Sequence, residues 1–104
     1  MARKKAYGQF CPVAKAAEIF AERWTPLVLR ELISGSHRFS DLRRGVPLMS
    51  PSLLSQRLKE LADAGVVEKV EVKGGAEYHL TEVGRQLEPV VIALGMNWVF
   101  SASP

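Results

Sequence analysis

The 104-residue chain has room for one compact domain, and its composition, 47% hydrophobic and 24% charged, supplies a core and excludes a chain too polar to collapse. The net charge of +3 is mild, and no apolar stretch approaches the roughly 20 residues that cross a bilayer. One cysteine and two distant histidines leave no internal disulfide and no metal-ligand spacing, so no metal and no cofactor is expected.

Residues 1–10 read as a basic N-terminal arm, with Arg3, Lys4 and Lys5 and no helical apolar repeat. No hydrophobic signal segment follows these charges, so the expected compartment is the cytoplasm, with no membrane partner. Cys11-Pro12 opens a short helix whose apolar stripe is Val13, Ala16, Ala17 and Phe20. Thr25-Pro26 is a restart: Thr caps exposed backbone N–H groups and Pro fits the first helical position. The helix that follows is expected to bury Leu27, Val28, Leu29 and Leu32 and to stop at Gly35.

His37 to Phe39 reads as a brief extended segment leading into a short helix around Ser40 to Arg44, with Phe39 and Leu42 in the core. Gly45 and Pro47 end it. Ser50-Pro51 repeats the cap-then-proline signal and starts a stronger helix over about residues 51–64. The period then changes. Val66 to Val72 favours a strand, Lys73-Gly74-Gly75-Ala76 turns, and Glu77 to Leu80 returns as a second strand. The expected inward set is Val70 and Val72, answered by Tyr78 and Leu80. Thr81 caps a final helix carrying Leu87, Val90, Val91, Leu94 and Trp98, with Pro89 expected to kink it. The domain spans residues 11–99, and the tail 100–104 is expected to fray. The whole is mainly α with a small β wing.

At 100° per residue, Leu54, Leu58 and Leu61 of the helix from Pro51 fall on one face, with Ala62 beside them. Ser52, Gln56 and Lys59 fall opposite, with Ser55 near one margin and Arg57 near the other. Taken alone this wheel also describes an ordinary surface helix. Its setting adds meaning, because from His37 to Lys59 the chain carries Arg38, Arg43, Arg44, Arg57 and Lys59 against Asp41 alone. Such a basic region suits a phosphate backbone, while Gln, Ser and Lys offer groups that a major groove accepts.

The ordered text Cys11-Pro12-Val13, Arg23-Trp24-Thr25, Leu27 to Leu32, Arg38-Phe39-Ser40-Asp41-Leu42-Arg43-Arg44 and Ser50 to Leu61 resembles the HxlR-type winged helix-turn-helix regulators, related to the MarR-like fold. Gly65-Val66-Val67-Glu68, Glu77 to Glu82 and Gly84-Arg85 continue the match, which covers Cys11 to Trp98. The resemblance implies a transcriptional regulator that binds double-stranded DNA as a homodimer on a palindromic operator, with terminal helices at the dimer interface. It assigns base readout to Ser52, Gln56 and Lys59. Backbone contact or helix positioning falls to Arg38, Arg43, Arg44, Ser50, Ser55, Arg57 and Lys73. The short wing departs from the common family pattern of prolines and an arginine before the Glu-Tyr strand, which points Lys73 to phosphate rather than deep into a minor groove.

Cys11 has two readings: a redox sensor of oxidants or electrophiles, as in some similar regulators, or a buried thiol packed on a partner helix. A small-molecule effector is a further candidate partner. Trp24 and Trp98 read as core or dimer packing rather than ligand stacking. His37 is expected near DNA and His79 on a wing strand, neither as a general base. With no Gly-rich phosphate loop and no nucleophile-base pair, the chain is not expected to be an enzyme.

Overall fold

The computed structural model describes residues 12–102, with side chains over 16–95. The basic arm, Cys11 and the side chain of Trp98 lie outside the described residues. The elements are α1 (Pro12–Ala21), α2 (Thr25–Ile33), α3 (Phe39–Gly45), α4 (Pro51–Asp63), β1 (Val67–Val72), β2 (Gly75–Leu80), α5 (Glu82–Arg85) and α6 (Glu88–Ala102). No described helix is long and apolar enough to cross a membrane, and no described cluster of His, Cys, Asp or Glu is suited to a metal ion.

One core holds the elements together. Val28, Leu29 and Leu32 of α2 meet Leu42 of α3, Leu54, Leu58 and Leu61 of α4, Val66 and Val67 at the start of the wing, and Val91 of α6. Val46 and Met49 close it from the segment between α3 and α4. Phe39 is only half-buried but packs against this core, as does Trp24. Leu27 does not join it, being 37% exposed. Val28, Leu29 and Leu32 fill the inward arc of α2, and at 100° per residue Leu27 falls on the other side.

The two cap-then-proline signals have different outcomes. Ser50 is extended and its side-chain oxygen accepts the Leu53 backbone N–H at 3.1 Å, with Pro51 in the first turn. This is an N-cap of the expected kind. Thr25 is instead the first helical residue and is 1% exposed, while Trp24 takes the cap position in the left-handed region (φ 76°) with no side-chain cap bond. A bulky residue pays for such a backbone, and the packing of the Trp24 ring on the core holds it there.

The hairpin is tighter than its Gly-Gly pair suggests. Gly75 already belongs to β2, the turn is Lys73-Gly74, and Gly74 adopts φ 89°, which an L side chain resists. The register pairs Val67 with Leu80, Lys69 with Tyr78 and Val70 with Glu77. Tyr78 and Leu80 therefore share a face with Val67 and Lys69, not with Val70 and Val72, because an even-numbered turn sets even positions against odd ones. Only Val67 among the β1 residues is fully buried. His37 and Arg38 add a short third edge: the Tyr78 N–H donates to the His37 carbonyl at 2.8 Å, and Arg38 bridges to Glu77.

Thr81 joins three elements. Its hydroxyl accepts the Gly84 N–H at 3.0 Å, capping α5, and donates to the Gly65 carbonyl at 2.5 Å, just past the end of α4. The helix it caps is short. Pro89 does not kink one long helix; it sits in the first turn of a separate α6, where its missing N–H costs nothing. The helix then continues past residue 99 to Ala102.

Gly84 is buried where a Cβ would lie 2.1 Å from the Val66 carbonyl oxygen, a backbone atom that cannot step aside. Gly84→Ala is expected to lower unfolding free energy by about 2–3 kcal/mol in urea titrations. The atoms nearest a Cβ on Gly45 belong to the Glu31 side chain, which can swing aside where the Val66 backbone cannot, so Gly45→Ala is expected to cost less than Gly84→Ala, about 1 kcal/mol, in the same assay.

Candidate nucleic-acid interface

Burial of Leu54, Leu58 and Leu61 fixes the rotation of α4 about its axis, and the opposite face is left to solvent. Ser52, Ser55, Gln56 and Lys59 are all exposed on it. Over its 13 residues α4 runs about 20 Å, enough to lie along a major groove. Gln56 is lightly held, its Nε2 donating to Glu60 at 3.3 Å, so its amide can re-aim at modest cost. The Ser50 oxygen is engaged by the cap, which makes Ser50 the residue that sets the start of α4.

The short helix α3 leads into α4 and adds charge beside it. Arg43 and Arg44 are exposed in its last turn, and Arg44 pairs with Asp41 one turn earlier. A contact this exposed is weak and exchangeable, so it leaves Arg44 able to meet a phosphate. Arg30 of α2 ties the pair down from behind, donating to the Gly45 carbonyl at 3.1 Å and pairing with Glu31 at 2.7 Å.

Arg57 is turned away from the exposed face. Its side chain is 13% exposed; it donates to Glu60 at 2.9 Å and to the Arg23 carbonyl at 3.1 Å, and lies 3.6 Å from Glu22. The guanidinium is thus occupied in joining α4 to the end of α1. Of the two roles read from the sequence, backbone contact or helix positioning, the geometry favours positioning.

At the wing root, Arg38 lies 4.0 Å from Glu77, and the rings of His37 and His79 stack with centroids 4.0 Å apart. His37 Nδ1 is 3.0 Å from the Tyr78 carbonyl and His79 Nε2 is 2.9 Å from the Glu77 carboxylate; both oxygens only accept, so each nitrogen carries the proton. The His79 hydrogen bond, with the nearby charges of Arg38 and the histidines, holds the Glu77 carboxyl below its ordinary value against the opposing effect of desolvation. Sequence reading treated the two histidines separately. The signal that unites them is the pairing of residues 37–38 with β2, which a two-residue edge does not advertise. Lys73 is exposed at the wing tip, apart from this cluster.

The chain as a whole has counterparts among known proteins. Residues 19–102 match the family model described as HxlR-like helix-turn-helix. The HTH-type transcriptional regulator YvaP of Bacillus subtilis is 39% identical over 87 residues, covering 80% of this chain and 81% of its own. The crystal structure of PA1607, a candidate transcription factor, superposes with a TM-score of 0.83 at 27% identity, over 100% of this chain and 71% of that one. The reduced form of the redox regulator HypR, also solved oxidized, matches with a TM-score of 0.74 at 32% identity, over 88% of this chain and 92% of its own. With a buried leucine face, an exposed polar face and a two-stranded wing in the same order, this chain belongs to the HxlR-like family of winged helix-turn-helix transcriptional regulators, which bind DNA and are not enzymes.

Proposed function

We propose that the protein acts as a sequence-specific homodimer on a palindromic operator in double-stranded DNA. The observation that carries this reading is the two-sidedness of α4, with leucines buried on one face and Ser52, Gln56 and Lys59 exposed on the other. In the proposed complex α4 lies in the major groove, and these three residues meet base edges. Arg38, Arg43, Arg44, Ser55 and Lys73 meet phosphate, and Arg57 and Ser50 hold the helix in position. The two-residue turn keeps Lys73 close to the wing body and suits a phosphate contact.

Dimerisation is supported by α6, on which Val90, Ile92 and Leu94 are 45%, 52% and 53% exposed. Three large apolar side chains uncovered on one helix favour a second copy as their cover. Two recognition helices then sit about one DNA turn, roughly 34 Å, apart. Regulation through Cys11, the sole cysteine, is the second part of the proposal, favoured by the likeness to the redox regulator HypR. Diamide oxidises two such thiolates, one from each chain, to an intersubunit disulfide and is itself reduced to the hydrazide; a thiol reductant reverses the step.

Light scattering at micromolar concentration is expected to report twice the chain mass; a monomer with and without DNA overturns the dimer. Arg43→Ala and Arg44→Ala are each expected to reduce the slope of log affinity against log salt by about 1, and unchanged slopes for both remove them from the footprint. Gln56→Ala is expected to change preference among operator variants, by about tenfold at one base pair, with little change in average duplex affinity. Diamide is expected to change operator affinity of the wild type and not of Cys11→Ser; equal affinities for confirmed oxidised and reduced wild type defeat the redox reading.

A further inference from the structure

The turn between α3 and α4 holds an apolar side chain out in water. Leu48 is 88% exposed, more than any other large apolar side chain described, and its exposed neighbours along the chain are Arg43, Arg44, Ser50 and Ser52. It is not on a loose loop. Val46 and Met49 on either side of it are buried in the core, and the Met49 N–H donates to the Val46 carbonyl at 3.0 Å, closing a four-residue turn. Neither end can slip without drawing a core side chain into water. Pro47 stiffens the first central position of the turn, and Leu48 fills the second, where small or polar residues are the usual choice. Neither the core nor the turn accounts for a leucine here.

The place of Leu48 in the fold supplies a reason. The Ser50 cap of α4 comes two residues later and Ser52 four residues later, so Leu48 lies within about 14 Å of Ser52 however the chain runs. A recognition helix meets base edges with its N-terminal residues, which makes the Leu48 end of α4 the leading one. The apolar group on a base edge in the major groove is the C5-methyl of thymine. We infer that Leu48 is a specificity-determining residue that packs on the methyl of one thymine in each half-site. The inference rests on the DNA-binding reading above and adds to Ser52, Gln56 and Lys59 a base contact made without a hydrogen bond. Because the turn is anchored at both ends, the side chain is presented in place and little ordering opposes the contact. A phosphate, by contrast, gives a leucine nothing to gain.

Deoxyuridine, which is thymidine without that methyl, tests the contact. A duplex selected by the wild-type protein from a random pool is titrated with the full chain, its thymines replaced by deoxyuridine one position at a time. At one thymine in each half-site, a single replacement is expected to weaken wild-type binding about fourfold, the transfer worth of one buried methyl-sized group. Leu48→Ala loses the contact in both half-sites, so it is expected to bind the thymine duplex about tenfold or more weakly and to be indifferent to the replacement at those positions. Its slope of log affinity against log salt is expected to be unchanged, because no phosphate contact is lost. Circular dichroism and mass in solution are expected to stay the same, since the deleted side chain stands in water. Leu48→Met, which keeps an apolar tip, is expected to retain most of the thymine preference. Wild-type indifference to every replacement, or a Leu48→Ala variant that binds as the wild type does, overturns the proposal. A loss of affinity in Leu48→Ala with the thymine preference intact also overturns it, assigning the side chain to deoxyribose. Any of these results with selective duplex binding defeats the role of Leu48 alone; absence of affinity for any duplex defeats the DNA-binding reading and the role of Leu48 with it.

Discussion

The burial of Leu54 and Leu58, both at or below 1% exposure, is the constraint on which the rest depends. Each buried leucine side chain is worth roughly 1.5–3 kcal/mol of transfer from water, so rotating α4 to expose them is far costlier than any polar contact its other face gains in the free protein. The exposed set at Ser52, Gln56 and Lys59 is thus specified by the core rather than by DNA. If this face reads DNA as proposed, it is formed before the partner arrives, which lowers the ordering cost of binding. The Ser50 cap and Pro51 add the axial part of the same specification by fixing where α4 begins.

Rotation and starting point leave the tilt of α4 to be set, and that falls to its polar margin. Arg57 spans to Glu22 and to the Arg23 carbonyl from the middle of α4, and Thr81 reaches the Gly65 carbonyl just past its C-terminal end. Neither arrangement is best understood as a source of stability. A half-buried ion cluster loses in desolvation much of what it gains in attraction, and replacing it with apolar groups is often neutral. Its geometry is less replaceable, because a guanidinium whose Nη1 faces two carboxylates while its Nε donates to a carbonyl accepts few orientations. The arginine at the margin of the wheel is therefore engaged by the protein itself.

The helices and their order were legible because their signals are local: the 3.6-residue leucine repeat of α4, the Ser50-Pro51 start and the Gly-containing wing turn. Where sequence reading differed from the structure, a tertiary or pairing constraint decided the matter. Thr25-Pro26 carries the same local signal as Ser50-Pro51, yet Trp24 takes the cap position because its ring is held on the core. Inward and outward positions of the hairpin followed from the parity of the turn, which composition does not reveal. The proline signal at Pro89 suggests an interruption within one helix, whereas the two residues Gln86 and Leu87 are enough to separate one helix from the next. The exposed polar face of α4 was readable residue by residue, since it is the complement of the leucines. The inward turn of Arg57 and the stacking of His37 on His79 were not, because each depends on partners more than 30 residues away.

The wing root extends the logic from α4 to the wing. His37 and Arg38 belong to the segment that enters α3, yet they are bound to β2 through the Tyr78 N–H, the Glu77 carboxylate and the ring of His79. The base of the wing is thereby joined to the start of the helix-turn-helix pair, and Lys73 is held at a defined offset from Arg43 and Arg44 by two strands and one edge pairing. Among these contacts the Glu77 carboxyl is held below its ordinary value, chiefly by the His79 hydrogen bond. Glu77 has its pKa depressed, so its contribution is present above the ordinary carboxylate value and is lost as pH falls through its lowered one. The Glu77 carboxylate is therefore ionised across the neutral range. Backbone pairing sets the position of the wing, while side-chain charge sets how firmly Arg38 is drawn back toward it and away from a phosphate. In the proposed complex a phosphate competes with Glu77 for that one guanidinium.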